Sequence, residues 1–335
     1  MIVVLGGGPA GRTAAIRLAQ AGKDVTLVEA GGIGGQCLHH GCMVVCALND
    51  VARSIAQARN LYTLGILDKI PSVRFPQLLG EMRGIQEKIR SVLDAETRAA
   101  GVEVQYGREG RLEDGNVFIG DDPVEAEAVI LATGSRPRIP DIPGTGLSNV
   151  YNPHTLSEMN NLPGRLVVIG GGVMAAEFAW IFHQFGCGVD LLCRSGFLKD
   201  LDSSLQTIAR KEMDGVNIHE GCSISRINGE KHAESITTGG DTPKEMPCDA
   251  VFIAAGLVPR SGMIRGVKMG RGGEILVDRH MRTSMNGIYA CGDVTGSPCL
   301  TPVARREGIV AAENILGKET EMDYRAIPRS INLAS

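Results

Sequence analysis

Cys37 and Cys42 are the residues best placed for chemistry, in Gly34-Gly35-Gln36-Cys37-Leu38-His39-His40-Gly41-Cys42-Met43-Val44-Val45-Cys46. They bracket a short loop containing Gly41. A tight turn brings two such sulfurs to bonding distance, provided the backbone aims them correctly. An apolar, helix-compatible run follows at once. Cys42 therefore falls at or near a helix N-terminus, where unpaired N–H groups and the helix dipole favour a thiolate. The chemistry this suits is thiol–disulfide exchange. The same residues also fit three buried structural cysteines, since thiols are commonly buried. A zinc site from Cys37, His39, His40 and Cys42 is disfavoured. So short a loop rarely lets four adjacent side chains reach tetrahedral positions.

The elements around this loop narrow the choice. Ile2–Leu5 reads as a strand, Gly6-Gly7-Gly8-Pro9-Ala10-Gly11 follows, and Arg12 to Ala21 has helical apolar spacing. Val25-Thr26-Leu27-Val28 is a second strand ending at Glu29, with Ala30 after it. Strand, G-x-G-x-x-G, helix, strand and acidic residue together form a dinucleotide fingerprint. Gly6 allows the tight turn, Gly8 lets a pyrophosphate approach, and Gly11 lets helix and strand pack closely. Helix N–H groups face the phosphates, and Glu29 can accept from ribose hydroxyls.

At Leu166 the pattern repeats. Leu166-Val167-Val168-Ile169 is a strand, Gly170-Gly171-Gly172-Val173-Met174-Ala175 a second fingerprint, and Ala176 to Phe185 a helix. Val189-Asp190-Leu191-Leu192 is again a strand, but Cys193 and Arg194 stand where a carboxylate would, with Lys199 nearby. A positive group there suits a 2′-phosphate and favours NADPH over NADH. Residues 43–59 and 76–100 read as helices, Val117 to Val124 as a short strand, and Leu300 to Leu316 as a helix with Pro302 in its first turn. Two further apolar strands, Val129–Ala132 and Asp249–Ala254, close on Thr133-Gly134-Ser135 and on Gly256. Residues 138–149 are rich in Pro and Gly and read as a linker.

Composition sets the outer bounds. The 335 residues suffice for two domains. Aromatics are only 4%, so the cores must be built from Val, Ile, Leu, Ala and Met. A net charge of −4 without a basic stripe argues against nucleic acid. No apolar run approaches the ~20 residues of a membrane span. Met1 runs straight into a strand, with no cationic leader. Nine scattered cysteines do not look like a secreted disulfide scaffold. The expectation is a cytoplasmic protein in which any lasting disulfide is catalytic.

With these motifs in order, the sequence resembles the flavoprotein disulfide reductases: dihydrolipoamide dehydrogenase, glutathione reductase, mercuric reductase and their relatives. Gly6–Gly11 with Glu29, Cys37 with Cys42, Thr133-Gly134-Ser135, Gly170–Ala175 with Glu177, and Tyr289–Asp293 carry the resemblance. It implies an α/β fold of two Rossmann-like domains, the second inserted into the first. Residues 1–148 and 262–320 would bind FAD, 149–261 would bind NAD(P), and 321–335 would open a dimerisation domain. FAD would be held by Gly6, Gly8, Pro9, Ala10, Gly11, Glu29, Ala30, Gly35, Gln36, Thr133, Gly134, Gly292 and Asp293. NADPH or NADH would be held by Gly170, Gly172, Val173, Met174, Glu177, Arg194 and Gly256. Cys42 would lie against the flavin and Cys37 would exchange with a small or protein-bound disulfide. A homodimer is expected of the full-length protein, the oligomeric state of this chain being left open, with neither nucleic acid, membrane nor metal as partner.

The resemblance breaks in three places. Cys46 replaces a lysine that in the family pairs with the residue matching Glu177. Glu177 must then find another partner, face solvent or take up a proton, because a buried unpaired carboxylate is unfavourable. Cys46 lies four residues after Cys42 on the same helical face; it is expected as a small buried filler in preference to a third redox thiol. Gln36 stands where threonine is usual, a minor change. No His occurs after His280, so the acid/base His of the family's dimerisation domain is absent, as in a chain cut at a domain boundary. Two other readings stay open: a flavin electron-transfer protein with a non-disulfide acceptor, and a nucleotide-binding fragment inactive alone.

Overall fold

Ile2–Leu5, Ala128–Leu131 and Ala250–Ile253 are short runs without polar alternation, and each forms a fully buried strand. That is the pattern of parallel sheet covered on both faces. The structure, a computed structural model, describes residues 1–296 and 298–334. Ser297 and Ser335, which fall in the 262–320 and 321–335 segments, lie outside the described residues. Among the described residues the α-helices are α1 (Pro9–Gln20), α2 (Gly35–His39), α3 (Cys42–Thr63), α4 (Phe75–Ala99), α5 (Val173–Gln184), α6 (Ser203–Glu212) and α7 (Thr301–Ile315).

The chain divides into two compact units. One comprises Met1–His39, Gly84–Arg136 and Leu257–Pro328; the other His40–Arg83, Pro137–Gly256 and the segment from Arg329 onward.

The first unit is built on a five-stranded parallel sheet in the order Ile288–Ala290, Ala128–Leu131, Ile2–Leu5, Val25–Glu29, Glu103–Tyr106. α1 buries Ala10, Ala14, Ala15 and Leu18 and packs along α7. The two helices approach closely because Gly308 carries no side chain. A Cβ there would lie 2.3 Å from Ala10 O. Residues 117–124, expected as one strand, fold as two, Asn116–Ile119 and Asp122–Val124, in an antiparallel ribbon with Gly110–Glu113. Gly120, at φ +62°, makes the turn between them, which an uninterrupted strand would not need.

The second unit repeats the plan in the order Asn217–Glu220, Gly188–Cys193, Arg165–Ile169, Ala250–Ile253, Val150–Tyr151, all parallel. α5 is apolar on nearly every side and correspondingly buried, with Trp180 at 1% exposure. Phe178, Phe182 and Phe252 meet at 4.5–6.3 Å, an aromatic centre that offsets the low aromatic content. α3 turns Val44, Val45, Leu48, Ala52 and Ile55 inward. It begins at Cys42 and runs four residues past the expected end at 59. Its last backbone groups are closed by Leu64 N–H to Asn60 O and Gly65 N–H to Tyr62 O, with Gly65 at φ +73°. The terminal segment is tied to this unit. Leu333 is 1% exposed, its carbonyl accepts from Arg53 Nε at 2.7 Å, and Arg329 Nη1 donates to Asp200 O.

Candidate active site

In the first unit, Gly6 lies at φ +109°, and a Cβ there would stand 2.2 Å from Ala132 O. Gly11 is equally constrained, 2.0 Å from Gly6 O. Gly8 differs. It is the extended N-cap of α1, no side chain caps the helix, Pro9 opens it, and no acidic residue sits in its first turn. The first N–H groups of α1 are thus left for a ligand. Glu29 fastens the turn: Oε2 accepts from Gly7 N at 2.6 Å and Oε1 from Gly31 N at 2.8 Å. Ala30 follows it, exposed. Gly35 presses on the same turn, where a Cβ would come within 2.8 Å of Gly8 Cα.

The same unit positions a second set of residues. Thr133 Oγ1 donates to Arg260 O at 2.6 Å, and Arg260 N to Gly134 O at 2.9 Å. Ser135 Oγ donates to Asp293 Oδ2 at 2.6 Å and lies 3.4 Å from Gln36 Oε1. Burial pushes the Asp293 carboxyl up, against hydrogen bonds from Ser135 and Cys299 that pull it down. Gly292, at φ +77°, donates its N–H to Glu307 Oε2 at 2.6 Å. Glu307 is fully buried and also accepts from Tyr324 OH at 2.7 Å. Sequence reasoning missed it, since nothing local marks a glutamate on α7 as an anchor for the turn at Gly292. Cys37 sits in α2, a one-turn helix expected as loop. It is entered through Gly34 and Gly35, both at positive φ, and held by Gln86 Nε2 donating to Leu38 O and His39 O. Thr301 Oγ1, at the start of α7, donates to Cys37 Sγ at 3.1 Å.

The second unit has a matching glycine cradle. Gly170 (φ +148°) would place a Cβ 2.3 Å from Ala254 O. Gly172 is the extended, uncapped N-cap of α5, where a Cβ would meet nothing within 4 Å. Val173 and Met174 form its half-buried first turn. Beside it, Cys193 is buried and donates to Gly170 O; burial pushes its thiol up to about 11. Arg194 and Lys199 are exposed on the loop that follows. That loop is fixed by Leu198 N to Gly171 O and Phe197 N to Glu220 Oε2. Gly256, at φ +98°, follows the strand Ala250–Ile253.

Cys42 also belongs to this unit, as the first residue of α3, and is exposed. Cys46 corrects an expectation: it is exposed, not a buried filler. The inward face of α3 is taken by Val44, Val45 and Leu48, so positions 42 and 46 share another face. Glu177, on α5, is buried at 7% exposure. Its Oε1 accepts from Asn332 N at 2.8 Å and Asn332 Nδ2 at 3.2 Å. Burial raises its pKa to about 7, the Asn332 bonds pull it down, and the charge of Cys42 adds to the rise. Cys46 is raised by partial burial, then by the charges of Cys42 and Glu177. His40 stacks on His154 with ring centroids 4.1 Å apart. No described cysteine is in a disulfide. Among the described residues no three of His, Cys, Asp or Glu converge on a metal site. None of the described helices is long and apolar enough to cross a membrane.

Residues 1–308 match the family described as pyridine nucleotide-disulphide oxidoreductase. The chain is 33% identical over 344 residues to the dihydrolipoyl dehydrogenase of Chlamydia muridarum, covering 98% of this chain and 73% of the relative. It is 29% identical over 342 residues to a mercuric reductase of Staphylococcus aureus, covering 98% of this chain and 62% of that one. Among solved structures, LpdA from Mycobacterium tuberculosis gives a TM-score of 0.86 at 25% identity, over 97% of this chain and 74% of LpdA. The HOCl-induced flavoprotein disulfide reductase RclA from Escherichia coli gives 0.81 at 25% identity, over 96% and 72%.

Proposed function

The chain belongs to the pyridine nucleotide-disulphide oxidoreductases, and we propose that it is an FAD-dependent NAD(P)H:disulfide oxidoreductase of the dihydrolipoyl dehydrogenase kind. Electron pairs pass between nicotinamide, flavin and a Cys37–Cys42 redox pair. The observation that carries this reading is the pairing, in one chain, of two glycine cradles at uncapped helix N-termini with a two-cysteine loop.

The cradles fit nucleotide phosphates. At Gly8 and Gly172 the backbone is extended and a side chain would stand in the approach to the helix N–H groups. We assign the first cradle, with Glu29, Ala30, Gly35, Gln36, Thr133, Gly134, Gly292 and Asp293, to FAD. The second, with Val173, Met174, Glu177, Arg194 and Gly256, we assign to NAD(P)H, with NADPH favoured by Arg194 and Lys199. When bound, the flavin supplies two-electron transfer between hydride and sulfur. The protein positions and tunes the groups around it. Glu29 holds the first glycine turn, Glu307 holds Gly292 in the conformation that presents Asp293, and the Thr301 hydroxyl favours the Cys37 thiolate by donating to it.

In disulfide reduction, Cys37 thiolate attacks one substrate sulfur and displaces the other as thiolate, leaving a mixed disulfide. Cys42 thiolate then attacks Cys37 Sγ, releases the second substrate thiol and closes the Cys37–Cys42 disulfide. FAD held at the Gly6–Gly11 cradle and NAD(P)H held at the Gly170–Ala175 cradle would supply the electron pair that returns both cysteines to thiols. The reading places the enzyme in a reducing cytoplasm, where a redox disulfide is catalytic, and takes a homodimer as its working form.

The test is NAD(P)H oxidation coupled to lipoamide or an aromatic disulfide. Cys37→Ser is expected to slow disulfide reduction at least about a hundredfold while NAD(P)H still bleaches the flavin. NAD(P)H consumption that stays undiminished in Cys37→Ser while disulfide reduction is lost would instead indicate a non-disulfide acceptor.

A further inference from the structure

Glu177 is a buried carboxyl held by two amide donors of Asn332, and among the described residues no cation pairs with it. α3 packs along α5, with Val44 and Val45 in the same core as Ala175, Ala176 and Phe178. From α3 the charges of Cys42 and Cys46 bear on Glu177, while Asp50 and Arg53, one and two turns beyond Cys46, act on Cys46. Arg53 is engaged by Leu333 O. The terminal segment presents Asn332, and its Arg329 turns to Asp200 O. α5 itself carries no other ionisable group before His183.

Two opposite tendencies meet here. Cys42 is the first residue of a 22-residue helix whose N-cap, Gly41, offers no side-chain cap, so the helix N-terminus favours a thiolate. Glu177 lies where burial disfavours a carboxylate. α3 and α5 pack together and the charge of Cys42 raises the Glu177 carboxyl, so the two groups disfavour being ionised at once and share one proton.

We propose that Glu177 holds the proton for Cys42: when Cys42 becomes a thiolate, Glu177 becomes the neutral acid. This rests on the redox role given to Cys42 above. On reduction, the Cys37–Cys42 disulfide and the Glu177 carboxylate take up two electrons from the pyridine nucleotide and two protons from solvent. The sulfur–sulfur bond breaks. One proton makes the Cys37 thiol and the other makes the Glu177 acid, leaving Cys42 as thiolate. Glu177 is thereby a positioning residue that keeps the local charge at −1 in both redox states. The lysine expected near Glu177 is replaced by Cys46, and the proton takes the place of that missing cation.

Two measurements on the holoprotein test this. The first counts protons when the oxidised holoprotein is reduced by dithiothreitol near neutral pH in a weakly buffered indicator solution. Dithiothreitol gives up two electrons and two protons. The wild type is expected to keep both protons, one on Cys37 and one on Glu177, and to release none. Glu177→Gln, which keeps the shape and the Asn332 contact, is expected to release about one proton per protein, because Cys42 remains a thiolate with no carboxylate to take its proton. Equal proton release by the two proteins would overturn the proposal. The second needs no folding comparison. A reduced-minus-oxidised infrared spectrum of the wild type is expected to gain a carboxylic-acid C=O band that shifts in heavy water; its absence overturns the proposal. The proton count does not depend on flavin reduction. Loss of disulfide reductase activity with the coupling intact would therefore count against the proposed function alone.

Discussion

Asn332 donates both its backbone N–H and its Nδ2 to the same oxygen of Glu177, at 2.8 and 3.2 Å. Residues 155 positions apart in sequence thus meet around a buried carboxyl. Both bonds favour the ionised form, yet burial wins and Glu177 titrates near about 7 instead of its usual 4.5. A carboxyl whose folded pKa lies above its unfolded value binds more protons in the fold. Its contribution to stability is whole below about 4.5 and is lost as pH rises through about 7. Glu177→Gln should therefore narrow the loss of stability between about pH 5 and pH 8, by on the order of 1–3 kcal/mol. Thermal melts of both proteins across that range check it; parallel curves would refute it.

The two kinds of glycine in each cradle should behave differently. Gly6→Ala forces a methyl to 2.2 Å from Ala132 O at φ +109°, and should destabilise the first unit by more than about 3 kcal/mol. Gly172→Ala meets nothing within 4 Å at an allowed φ. It should leave stability within about 1 kcal/mol and weaken pyridine nucleotide binding about tenfold or more, because the methyl intrudes where the phosphates approach. Denaturant melts and nucleotide titration separate the two effects. Equal loss of stability in both variants would refute the distinction.

Arg194 and Lys199 stand exposed on a loop fixed by Gly171 O and Glu220. Arg194→Ala should lower kcat/KM for NADPH about tenfold or more, with little change for NADH. A wild type that prefers NADH, or a variant that lowers both equally, would remove the 2′-phosphate assignment.

Thr301 and Cys37 are joined by one hydrogen bond of 3.1 Å. Thr301→Val keeps the shape and removes the donor, so the Cys37 thiolate should form at higher pH. Labelling of Cys37 near neutral pH should slow about tenfold, the effect of one hydrogen bond to a charged group. An unchanged pH profile would mean that the hydroxyl does not tune the thiol.

Much of the fold was legible because its signals are local. Ile2–Leu5 and Leu166–Ile169 are apolar runs closed by glycine, and a strand that short, buried on both faces, needs no other mark. The duplication of the glycine pattern revealed two parallel-sheet units before any contact was known. What could not be read depends on residues far apart. Nothing near Asn332 announces Glu177, nothing near Thr301 announces Cys37, 264 residues away, and Glu307 carries no local sign that it anchors Gly292. Cys46 was misjudged because burial was inferred from residue type. On α3 it is decided by which face the neighbouring Val44, Val45 and Leu48 occupy.

The central claim is that Cys42 is the sulfur that communicates with a bound flavin. Anaerobic titration of the FAD-loaded protein with NAD(P)H tests it most directly. A long-wavelength thiolate–flavin absorbance should grow in the wild type, persist in Cys46→Ser and vanish in Cys42→Ser. Its absence from the wild type, or its survival in Cys42→Ser, would contradict the account.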